Sequence, residues 1–165
     1  VALATGQPWR LGEPPVLTSV TVADTGIVVD LPTGIAGAPA EEKSGSARIL
    51  TFGNLLEEGV AVEFVVNVLP EVVPPAQLQM VLQLMRTAMQ NQGPAGAERQ
   101  GDAAIVAVGG RSYVTVNHRV NQFSLRSWAS IFGNRQVVLR VYSSPGLPGS
   151  WAGIEDKVVA SLQVP

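Results

Sequence analysis

RSYVTVNHRV at residues 111–120, FSLRSWASIF at 123–132 and QVVLRVY at 136–142 are three extended runs in succession, and SWAGIEDKVVASL at 150–162 follows them. The first run alternates, with Tyr113, Thr115, Asn117 and Arg119 on one face and Val114, Val116, His118 and Val120 on the other. In the third, Val137, Leu139 and Val141 point to a core while Gln136, Val138, Arg140 and Tyr142 alternate with them. The second carries Phe123, Leu125, Trp128, Ile131 and Phe132 without strict alternation, which predicts a core strand interrupted by a bulge. A Pro/Gly loop over 143–149 precedes Ser150, a suitable N-cap, and a helical stripe of Trp151, Ile154 and Val158. Residues 161–164 are expected to finish as an edge strand.

Working outward, Gly109-Gly110 joins residues 103–108 to 111–120 as a two-residue hairpin, because both glycines tolerate positive φ. Residues 18–23 and 27–31 form a first hairpin around Asp24-Thr25-Gly26. Residues 47–52 are strand-like, and 60–69 give the clearest strand, with Val60, Val62, Phe64, Val66 and Val68 on one face. Pro74-Pro75 opens the main helix. Its stripe of Leu78, Val81, Leu82, Met85, Ala88 and Met89 has helical spacing, and Met80 and Leu84 lie beside it. Residues 32–46 and 92–101 read as surface loops. Residues 1–17 are aperiodic and rich in Pro and Gly, so they form an N-terminal arm, with Trp9 docking on the body. Residues 18–165 then make a single domain. The expected class is α+β: a largely antiparallel sheet, with the long central helix and the short C-terminal helix packed on one face.

The 165 residues carry a formal net charge of −2 and only 15% charged side chains. That balance argues against nucleic acid or an anionic membrane as partner. With no cysteine there are no disulfides, thiolate metal sites or Cys nucleophiles. No apolar run approaches the ~20 residues of a transmembrane helix. Val1-Ala2-Leu3-Ala4 is similar to the small-x-small end of a secretory signal, which favours export.

No chemical motif emerges. His118 is the sole histidine and falls on an apolar strand face, where a structural histidine is the expected reading. One histidine without cysteine does not make a zinc site. There is no Gly-x-Ser-x-Gly elbow. The acidic pairs Glu41-Glu42, Glu57-Glu58 and Glu155-Asp156 fall in or near loops or on a solvated face, and no calcium loop frames them. Neither Gly109-Gly110 nor residues 145–149 have the Lys-Ser/Thr of a phosphate loop. No cofactor is expected. Arg111, Arg119, Arg126, Arg135 and Arg140 do cluster with aromatics in the last three strands. Arg and aromatic side chains anchor protein interfaces, so Tyr113, Arg119, Trp128, Arg140 and Tyr142 are the candidate partner-binding residues. Tyr113, Arg119, Arg140 and Tyr142 have the parity to share one sheet face if the register allows it. A solvated sheet face covered by Arg stems is the competing account.

Several features together resemble the PsbP-like superfamily, which includes DcrB-like and LpqN-like bacterial proteins. They are Gly26-Ile27-Val28-Val29-Asp30-Leu31-Pro32, the single long helix after the first half of the sheet, Gly110-Arg111-Ser112-Tyr113, and the last strand followed by Trp151, Ile154 and Ser161-Leu162. The resemblance spans residues 18–164. It implies a non-enzymatic accessory or binding domain, often extracytoplasmic in bacteria, that recognises a protein or small ligand through its sheet face, as a monomer or homodimer. The alternative within the same superfamily is a cytoplasmic type VI secretion chaperone of the Eag kind, holding apolar client segments against the sheet.

Overall fold

The computed structural model describes residues 14–22, 25–147 and 149–164. Leu17–Val22 (β1) and Ile27–Pro32 (β2) form a separate two-stranded sheet, across a turn in which Gly26 has φ 77°. Eight further strands form one sheet: Ala40–Ser44 (β3), Ala47–Phe52 (β4), Val60–Val68 (β5), Ala97–Arg99 (β6), Ala104–Val108 (β7), Arg111–Val120 (β8), Phe123–Phe132 (β9) and Arg135–Ser143 (β10). The spatial order is β3-β4-β5-β10-β9-β8, with β6 and β7 both paired along the outer side of β8. All these pairings are antiparallel.

The described residues form three α-helices. Leu55–Glu58 (α1) is a single turn capped by the Asn54 carboxamide, whose oxygen accepts from the Leu56 amide at 3.0 Å, and it stops at Gly59, φ 76°. Leu78–Asn91 (α2) follows a 3-10 turn at Pro75–Gln77, where proline in the first turn costs no helical hydrogen bond. Ile154–Ala160 (α3) starts after Gly153 in the left-handed region. Trp151 sits before it in a separate 3-10 turn, so the helix begins later than a Ser150 cap would place it.

Two hydrophobic cores lie on opposite faces of the sheet. On one face, β2 and α3 supply Val29, Leu31, Ile154 and Val158, which cluster with Phe52, Val62, Phe64, Trp128, Leu139 and Val141. On the other, Leu82 and Met85 of α2 pack with Val114, Val116, Ala129 and Ile131. The class and the largely antiparallel sheet are as the sequence predicts, but the two helices do not share a face. The register explains why. Val114, Ala129 and Val138 stand in one row across β8, β9 and β10, and Thr115, Trp128 and Leu139 stand in the next, pointing the other way. Thr115 apart, both rows are apolar, so each face of the central strands calls for a cover. The same double burial accounts for the large apolar residues that residues 123–132 carry at both parities, Phe123, Leu125 and Ile131 as well as Trp128 and Phe132. The strand pairs continuously with β10 without the expected bulge.

Three connections also differ. The loop expected over residues 32–46 holds a 3-10 turn, Thr33–Ile35, and β3, a fully exposed edge strand tied by the Arg48–Glu41 ion pair at 2.7 Å. Residues 97–99 of the second predicted loop form β6. The predicted final strand is a single bridge between Gln163 and Val28. Of the expected arm, residues 1–13 with Trp9 lie outside the described residues, whereas Leu17 already pairs with Pro32.

Candidate functional site

Helix α2 packs on β7, β8 and β9. Among the described residues, α2 reaches this face of β10 only at its border, where Val138 packs against the α2 cluster, and it makes no comparable contact with β5 or β4. Register defines what this open half presents. One row runs Thr51, Glu63, Arg140, Ser127, Val116 across β4, β5, β10, β9 and β8. The next runs Ala61, Tyr142, Leu125, His118. Polar groups therefore gather where the cover of α2 ends.

Arg140 Nη1 donates to Glu63 Oε1 at 2.8 Å, and both side chains are partly shielded, at 31% and 18% exposure. Where α2 ends, Met89, Gln92 and Pro94 close a cavity of about 80 Å³ with Val116, His118, Ser127, Val138 and Arg140. His118 is buried, and its Nδ1 has no hydrogen-bond partner among the described residues. Burial, reinforced by the charges of Arg99 and Arg140, lowers its pKa and favours the neutral imidazole. Burial also raises the pKa of Tyr142; Glu63 adds to that and Arg140 opposes it.

The five candidate residues separate. Arg140 and Tyr142 lie on the open half. Tyr113 and Trp128 point to the opposite face, where both are buried and their rings meet edge to face at 6.2 Å. Burial raises the Tyr113 pKa, against the charge of Arg111. Arg126 lies over the Trp128 ring at 4.4 Å and pairs with Asp156 of α3 at 3.2 Å. Arg119, exposed, shares the parity of Tyr113 and donates to Gln100 Oε1 at 3.3 Å. Parity within one strand places residues on a face, but only register relates the faces of two strands. Here odd positions of β8 align with odd positions of β10, so Tyr113 and Tyr142 are on opposite sides.

Glu63 and Ser127 were not among the candidates. Glu63 had a visible signal: it is the only charged residue in Val60–Val68. Ser127 had none, since its place beside Arg140 follows from strand pairing alone.

The cavity holds a serine and a histidine, yet among the described residues no hydrogen bond links them and no carboxylate meets the imidazole Nδ1; Glu63 is engaged by Arg140. Activation of a nucleophile calls for both links. Among the described residues, no cluster of three or more His, Asp or Glu is placed to hold a metal ion, and no helix is long and apolar enough to cross a membrane. A larger cavity of about 420 Å³ lies between the β1–β2 hairpin and the β9–β10 turn, lined by Ile27, Phe132, Arg135, Val137 and Val164 among others. Arg135 donates there to the Thr25 carbonyl.

No family model matches the chain, and no curated protein does. Among solved structures it is similar to cyanobacterial PsbP (CyanoP) from Synechocystis sp. PCC 6803, with a TM-score of 0.61 and 13% identity over 93% of this chain and 95% of that one. It is also similar to a crystal structure from Bacteroides thetaiotaomicron VPI-5482, with a TM-score of 0.52 and 9% identity over 88% of this chain and 47% of that one. At such identities the likeness is one of fold, and the fold of this chain is PsbP-like.

Proposed function

We propose that the chain is a non-catalytic accessory domain that recognises a protein partner through the open half of its sheet, centred on Arg140 and Tyr142. The observation that carries this reading is the half-covered face. Among the described residues α2 leaves the β5–β4 surface and most of β10 uncovered, and the polar row there carries an Arg–Glu pair with guanidinium donors to spare. Arg and Tyr supply large, directional contact area at interfaces. The unlinked Ser127 and His118 support the non-catalytic part. The PsbP-like fold agrees with an accessory role outside the cytoplasm.

The Eag-like chaperone reading requires an apolar surface for client segments. Glu63, Asn67, Gln136 and Arg140 on the open half suit that task poorly.

A photo-crosslinking residue at Thr51 or Asn67 tests the proposal, with Thr21 on the exposed side of β1 as control. In the native cell, the open-half positions are expected to give a discrete adduct that Arg140→Ala weakens. Equal labelling from Thr21, or adducts indifferent to Arg140→Ala, overturns it.

A further inference from the structure

The two edges of the sheet are built differently. At one end β3 carries Glu41, Glu42 and Lys43, charges of the kind that keep an edge strand from pairing with another chain. At the other end β7 reads Ala104-Ile105-Val106-Ala107-Val108, with no charge and no proline.

The turn fixes which backbone groups of β7 are free. Gly109 and Gly110 have φ of 59° and 79°, the two-residue hairpin geometry in which the flanking pair, Val108 and Arg111, exchanges both hydrogen bonds. Ladder alternation then directs the amides and carbonyls of Val108, Val106 and Ala104 at β8 and those of Ile105 and Ala107 outward. Those outward groups have no backbone hydrogen-bond partner among the described residues.

We propose that β7 is a self-pairing edge, joining a second copy of this chain antiparallel about a two-fold axis through Val106. The sequence suits that operation. Reversed about Val106 it sets Ile105 against Ala107 of the second copy, and these are the two residues with outward backbone groups, so each pair exchanges bonds in both directions. Val106 meets its own copy on the face of the Tyr113 core, which Val106 and Val108 already flank. Ala104 meets Val108. Beyond them Gly109 and Gly110 present no side chain to obstruct the approach. A two-fold contact of this kind is self-complementary and closed. It is also small. Five residues a side bury less than the ~1,200 Å² of stable complexes, so the pairing is reversible and concentration-dependent.

Sedimentation of the full chain over a wide concentration range is the test, together with amide exchange at Ile105 and Ala107. The weight-average mass is expected to rise from monomer towards dimer, with both amides slowing at least severalfold over the same range. Ala107→Pro removes an outward amide without touching the β8 ladder, and Ala104→Lys charges an exposed edge position; each is expected to hold the chain monomeric. The second variant decides the matter if the first does not fold. A monomer at every concentration overturns the proposal, including one whose Ile105 and Ala107 amides are already protected by another segment. So does a dimer that Ala104→Lys leaves intact.

Discussion

Arg140 and Glu63 face each other across β10 and β5 and close an ion pair at 2.8 Å, on the half of the sheet that α2 leaves open. The pair carries the charged part of the candidate surface, and it biases its neighbour on β10, Tyr142.

Glu63→Gln is expected to cost about 1 kcal/mol or less in urea denaturation, because a partly exposed pair is screened by solvent. The sharper readout is Tyr142. Losing the carboxylate removes one cause of its raised pKa and leaves the opposing Arg140, so an ultraviolet titration should show this phenol ionising at lower pH. An unchanged titration would mean that the two groups do not interact in solution.

His118 gives a pH dependence with a defined sign. Its folded pKa lies below the ordinary 6.5 because of burial first, then Arg99 and Arg140. The unfolded chain therefore binds the proton more readily. Stability from this group is full above the unfolded value and is lost as pH falls from there towards the folded pKa. Denaturation midpoints should decline over that window, and His118→Gln should flatten the decline. A wild-type profile no steeper than that of the variant contradicts the assignment.

Two leucines two positions apart on α2 separate core from surface. Leu82 is fully buried and Leu84 is 65% exposed. Leu82→Ala should destabilise by roughly 2–5 kcal/mol through the cavity it leaves. Leu84→Ala should stay within about 0.5 kcal/mol of wild type. Comparable losses at both sites would place the face of α2 wrongly.

Glycine at 53 and at 93 makes room for a neighbour. At Gly53, φ 86°, a Cβ would lie 2.5 Å from Ile35 Cγ2, so Gly53→Ala combines a strained backbone with a clash and should cost about 2–4 kcal/mol. At Gly93 a Cβ would lie 2.8 Å from Nε2 of buried His118. Gly93→Ala should cost about 1–3 kcal/mol and shift the His118 imidazole resonances. An alanine at either position that leaves thermal stability unchanged counts against the packing described.

Strand and helix identity were local properties, and the sequence alone determined most of them. Alternation marked Val60–Val68 and Arg111–Val120, helical spacing marked Leu78–Asn91, and Gly109-Gly110 fixed a hairpin. Exposed β3 and three-residue β6 escaped because strands without an apolar face carry no periodic signal. The candidate surface was half legible: Arg140 and Tyr142 were named from their chemistry, whereas Glu63, a lone charge in an apolar strand, was not singled out. What only the tertiary structure decided was sidedness. An amphipathic helix specifies that one stripe be buried, not which face of a doubly apolar sheet buries it. The parity of a strand likewise says nothing about its neighbour until register is fixed by pairing between residues distant in the chain. Those long-range contacts sent Tyr113 and Trp128 into the core beneath α3, and set Arg140 and Glu63 of the open half beside buried Ser127 and His118 at the end of α2.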